Sequence, residues 1–143
     1  MHYAARHPGG ISKLILSSTA AQFRLDETMK MMRKLGGARA ADVAREFFSN
    51  PSKVAYDTYG QVCLPLYSNP NVPAAGAFRD RAIERPEVAF HFFSDEMAHM
   101  DMRAEIANIT CPTLVIGGAI DPVTPPICSE AIADAIGDNA RLQ

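Results

Sequence analysis

No stretch of this sequence is apolar for long enough to cross a bilayer as a helix, which takes roughly 18–20 residues. The start, Met1-His2-Tyr3-Ala4-Ala5-Arg6-His7, leads into no apolar h-region, so it does not read as a secretory signal. Cysteine is scarce and odd in number. Cys63, Cys111 and Cys128 are scattered, which argues against a disulfide scaffold and for reduced thiols in a cytoplasmic setting. Neither sign of charge dominates: a net charge of −2 and a pI near 6.0 leave no electrostatic footprint for nucleic acid or an anionic membrane. Internal repeats and low-complexity segments are also lacking. What is present is 143 residues, 48% hydrophobic and 21% charged, an ordinary globular composition and one domain's worth of chain.

The chain is organised around Cys111-Pro-Thr-Leu-Val-Ile-Gly-Gly-Ala-Ile-Asp-Pro-Val-Thr-Pro-Pro126. Thr113 to Ile116 is a short β-branched and apolar run, as expected of a central parallel strand covered on both faces. Gly117 and Gly118 end it with a turn. Asp121 then falls just past the carboxyl end of the strand, among Pro122, Pro125 and Pro126. In open α/β sheets that rim gathers ligands and catalytic groups. An aspartate there equally suits the plainer task of capping the following turn or helix.

Tyr3 to Pro8 reads as the end of a helix whose earlier turns are missing, stopped by Pro8-Gly9-Gly10. Lys13 to Ser18 is a second strand. Between about Gln22 and Met102 methionine and aromatic residues rise and helix signals repeat. Leu25, Met29, Met32 and Leu35 share a helical face, with Gly36-Gly37 as the expected stop. Ala40 to Phe48 forms a second helix. Asn50-Pro51 is read as cap and first turn of a third, closed by Pro65. Ser68 to Pro73 is a turn cluster, and Pro73 to Arg85 and Pro86 to about Phe93 are two more helical pieces. Asp101 to Ile109 is an amphipathic link. Cys128 to Ile136 is a helix packing on a sheet, stopped by Gly137, and Arg141-Leu142-Gln143 enters a further strand. Both ends read as cut in mid-fold.

With its pieces so placed, the chain resembles the C-terminal half of an α/β-hydrolase: a partial α/β-hydrolase fold with an inserted all-helical cap. His2 to Thr19 is similar to the helix after the nucleophile elbow and the sixth strand. Ile109 to Pro125 is similar to the strand bearing the acid of a Ser-His-Asp triad. On this resemblance residues 1–21 and 103–143 are the incomplete core and 22–102 the helical cap. Within the superfamily Cys63-Leu-Pro-Leu-Tyr-Ser68, Phe90-His-Phe-Phe-Ser-Asp-Glu96 and Asp101-Met-Arg-Ala-Glu-Ile106 look most like the proline iminopeptidase group. Epoxide hydrolases, carbon–carbon bond hydrolases and plain esterases share the core blocks.

The resemblance implies a serine-type hydrolase acting on a small peptide, amide or ester, with Asp121 as triad acid. It implies no metal and no organic cofactor. It would make Glu96 the acidic residue that receives a substrate's free α-amino group, although a solvated helix-end acid fits that position as well. No Gly-x-Ser-x-Gly occurs in the sequence. By the family's chain order the nucleophile belongs before Met1 and the histidine beyond Gln143, so the 143 residues alone are expected to be inactive. A non-catalytic fragment that binds a partner or self-associates is the other reading.

Other residues suggest less. His91, His99 and Asp101 are spaced poorly for a shared metal, and the surrounding methionines suit the lining of a cap. Cys111 and Cys128 are expected to be buried packing residues, and none of the three cysteines has a local base to activate it. His2 and His7 are expected at the surface.

Overall fold

The computed structural model describes residues 1–68 and 81–143. They divide into two compact units, Met1–Met31 with His99–Gln143 and Met32–Ala98, and both crossings of the chain fall within helices, Leu25–Ser49 and Met97–His99. The turn cluster from Ser68 to Pro73 lies outside the described residues except for Ser68. So does the helix expected at Pro73 to Arg85 up to residue 80; Arg81 to Arg85 carry no helix.

The first unit is a partial α/β fold. Its strands β1 (Leu14–Ser17), β2 (Thr113–Ile116) and β3 (Ala140–Leu142) form a parallel sheet in the order β1-β2-β3. Leu14 is in register with Thr113 and Ala140, and Leu16 with Val115 and Leu142. Three helices flank the sheet: α1 (His2–Arg6), α6 (Arg103–Ile106) and α7 (Pro126–Ile136). Leu16, Val115, Ile106, Ile109, Ile132 and Ile136 form the centre of the core, each fully or almost fully buried. Burying one such side chain contributes about 1.5–3 kcal/mol.

The alternation of side chains along the strands divides the sheet into unlike faces. Thr113 and Val115 turn to the packed face. On the other, Ile15 is 66% exposed and Ile116 36%. The expectation of a strand covered on both faces therefore holds for one face only among the described residues.

Helix α1 is five residues long, far below the length that is stable alone. Its order comes from outside it. Ala4 and Ala5 are buried, and His2 Nδ1 and Arg6 Nε meet the Glu105 carboxylate at 2.6 and 2.9 Å. A 3₁₀ turn, Pro8–Gly10, follows where the proline and glycines were expected to end the helix.

Among its described residues the regular elements of the second unit are all helices. Helix α2 (Leu25–Ser49) departs from helical geometry only at Gly37, with φ +76°. The expected Gly36-Gly37 stop is thus a kink between two helical segments. Glycine tolerates that φ, and Gly36 is needed for space: a Cβ there would lie 2.6 Å from Ala40 Cβ. Helix α3 (Lys53–Val62) begins later than expected. Its N-cap is Ser52, whose Oγ accepts the Ala55 amide at 3.2 Å, in place of Asn50. It ends at Val62, and Pro65 falls inside a following 3₁₀ turn, Leu64–Tyr67. Helix α4 (Pro86–His91) continues into a π-helical turn (Phe92–Glu96) and the short α5 (Met97–His99). Phe93, on the π turn, meets Phe47 and Phe48 edge-on, both at 5.1 Å, and Phe47 meets Tyr59 at 4.7 Å. Aromatic packing of this kind adds to simple area burial.

Candidate functional site

Asp121 lies where its sequence neighbourhood places it. Strand β2 ends at Ile116, and the Gly117 amide bonds the carbonyl of Gln143 beyond β3 at 3.1 Å. The Asp121 amide then donates to the Gly118 carbonyl at 3.1 Å, closing a turn that brings the carboxylate to the sheet's carboxyl rim. Its Oδ1 accepts two main-chain bonds, from the Val123 amide at 2.9 Å and the Thr124 amide at 2.8 Å. The capping role foreseen for this aspartate is therefore real, and it occupies one oxygen. Oδ2 accepts no hydrogen bond among the described residues. The residue is half-buried between the buried Pro122 and the exposed Ile120.

The loop is held from below as well. Thr28, fully buried in the first turns of α2, donates its hydroxyl to the Val123 carbonyl at 2.8 Å. The anchored carbonyl belongs to the same peptide whose N–H, that of Thr124, bonds Asp121. Nothing in the sequence signalled Thr28. A threonine between Glu27 and Met29 reads as an ordinary helix position, and its partner lies 95 residues away.

Asp121 also shares an electrostatic neighbourhood. Burial pushes the Cys128 thiol up, Arg24 pulls it down, and Asp121 and Glu27 push it further up. Arg24 Nε is buried without a hydrogen-bond partner among the described residues. Cys111 and Cys128 are buried, as expected of packing residues, and so is Cys63. Burial raises the Cys63 thiol to about 11, far from a nucleophile's value.

Glu96 belongs to the other unit and ends the π turn, exposed, with Oε1 3.4 Å from His91 Nε2. Asp101 is committed elsewhere. It forms an ion pair with Arg103 at 2.5 Å, which holds its carboxyl down near 2, and its main chain bridges Gln22. No group of three or more His, Cys, Asp or Glu is placed to hold a metal ion among the described residues. No helix there is long and apolar enough to cross a membrane. His2 and His7 are exposed, and His2 pairs with Glu105.

No protein-family model matches the chain, and no curated protein matches it by sequence. Among solved structures the chain is similar to the crystal structure of a hydrolase from Pseudomonas aeruginosa PA01, with a TM-score of 0.51 and 22% identity. The match covers 99% of this chain and 50% of that one, so the chain spans about half the neighbour's length. At this identity the likeness bears on the fold, and it agrees with the parallel strands and flanking helices described above. The chain has a partial α/β fold of a kind found in a hydrolase.

Proposed function

We propose that this chain is the C-terminal half of a serine-type α/β-hydrolase, with Asp121 as the triad acid. The observation that carries the reading is the state of the Asp121 carboxylate at the rim beyond β2. One oxygen is fixed by two main-chain amides and the other is left to accept a further donor. A triad acid needs this combination. It accepts the imidazole Nδ1–H, sets the tautomer and stabilises the imidazolium formed as serine loses its proton. The serine and histidine would come from sequence outside these 143 residues. The half-length match to a hydrolase supports that division.

The substrate in this reading is a small peptide or amide with a free N-terminal residue, or a small ester. Proline iminopeptidase-like selectivity would use Glu96 to meet the substrate ammonium in place of the His91 imidazole. One observation favours the alternative of a binding or self-associating module: the apolar sheet face bearing Ile15 and Ile116 is open.

The test combines intact mass of the native protein with turnover of aminoacyl and ester reporters. The expected result is an inactive 143-residue chain and an active longer polypeptide, in which Asp121→Asn lowers kcat by on the order of 10⁴. Full activity in that variant would refute the assignment of Asp121.

A further inference from the structure

We propose that Thr28 is the positioning residue for the Asp121 carboxylate. The inference rests on the reading of Asp121 as the acid, but its geometry is independent of it. Thr28 is wholly buried, and its hydroxyl donates to the Val123 carbonyl at 2.8 Å. The Val123 amide in turn donates to Asp121 Oδ1 at 2.9 Å, and the Thr124 amide, on the far side of the anchored carbonyl, donates to the same oxygen at 2.8 Å. The Val123–Thr124 peptide plane contains both the anchored carbonyl and the Thr124 N–H. Fixing the one therefore aims the other.

Without the hydroxyl, the loop between Gly118 and Pro125 would be held near Asp121 by that residue's own capping bonds and by the flanking prolines. Val123 is only partly buried, so its carbonyl could turn to solvent, and both amides would then move with it. The carboxylate would remain present but lose its fixed direction. Misplacement of a catalytic group by about 1 Å costs up to two orders of magnitude in rate. Thr28 also lies at the start of the helix that leads onward from the sheet unit, so the acid is set by a helix as well as by its own strand.

The experiment is residue-resolved amide hydrogen exchange on the intact protein, comparing the unaltered chain with Thr28→Val, Thr28→Ser and Thr113→Val. Thr113 is a matched control. It too is a buried threonine, and its hydroxyl bonds the Cys111 carbonyl away from the loop. The expected result is that Thr28→Val speeds exchange at Val123 and Thr124 by tenfold or more relative to the core amides. Thr28→Ser should restore protection, and Thr113→Val should leave those two amides unchanged. In the hydrolase assay Thr28→Val should lower kcat about tenfold at unchanged KM. Unchanged protection at Val123 and Thr124 in Thr28→Val would overturn the proposal. In the unaltered protein, the Thr28 hydroxyl proton should give a slowly exchanging resonance in contact with Val123; its absence would overturn the proposal even if the valine variant failed to fold. The role of Asp121 stands or falls separately, on turnover in Asp121→Asn.

Discussion

Gly117, at the end of the central strand, lies so close to Ser129 of α7 that a Cβ on it would sit 2.5 Å from the Ser129 hydroxyl oxygen and 3.0 Å from its Cβ. Ser129 is buried. This contact brings α7 down onto the strand end from which the Asp121 turn departs. Gly117→Ala should destabilise the first unit by about 1–3 kcal/mol, the usual cost of overpacking. A lower denaturation midpoint at unchanged slope would record it. Ser129→Ala in the same background should recover part of the loss, because the 2.5 Å contact goes and only the 3.0 Å contact with Cβ remains.

Gly37 carries a different constraint. Its φ of +76° is strained for any L side chain, while nothing lies within 4 Å of where its Cβ would be. With ψ at −170° Gly37 occupies a region open essentially to glycine alone, so Gly37→Ala should cost on the order of 1–3 kcal/mol through backbone strain alone. Its signature would be a stability loss without a change in side-chain packing, read from thermal unfolding and near-ultraviolet circular dichroism together.

Two carboxylates should contribute to the acid limb of the stability profile. Asp101 is held down from an ordinary 3.8 to about 2, chiefly by its hydrogen bond with the Arg103 side chain. Glu105 is lowered from 4.5, first by its hydrogen bond with His2 and then by Arg6. Both values are depressed in the folded state, so the stability they contribute is complete above the unfolded values and is lost as pH falls through the folded ones. Asp101→Asn should flatten the loss between pH 3.8 and about 2, and Glu105→Gln the loss starting near 4.5. Urea midpoints measured from pH 7 downward would separate them.

Cys63 is buried, donates weakly to the Ala40 carbonyl at 3.4 Å, and has its thiol raised to about 11 by desolvation. It should resist a thiol-reactive disulfide reagent at pH 8 in the folded protein and react at once in denaturant. Rapid labelling of the native chain at Cys63 would show that the packing around α3 opens readily.

The open face of the parallel sheet should be adhesive. Ile15 is 66% exposed and Ile116 36%, on strands of a type that is ordinarily covered on both sides. Replacing both by lysine should reduce binding of an apolar dye and any self-association seen by light scattering, while leaving the packed face around Val115 intact.

Local pattern made the strand positions and the helical character of the middle legible. Leu14–Ser17, Thr113–Ile116 and Ala140–Leu142 are strands where apolar runs end in glycine, serine or the chain's last residues. Pattern failed at helix ends. Asn50-Pro51 looked the better cap, yet Ser52 accepts the Ala55 amide. Gly36-Gly37 looked like a stop, yet only Gly37 leaves the helix. Choosing between competing caps depends on which one the packed helix can reach, and residues in sequence do not record that.

The sequence by itself determined which segments become strands and helices, and that Asp121 follows the central strand, because those properties depend on side-chain periodicity and on glycine and proline at fixed offsets. Only the tertiary structure decided what the Asp121 carboxylate does with its two oxygens and that Thr28 anchors the loop beside it. The same holds for which face of the sheet is covered. Each of these depends on groups brought together across long stretches of chain, as Thr28 and Val123 are across 95 residues. Such contacts are set by tertiary packing and leave no local trace in the sequence.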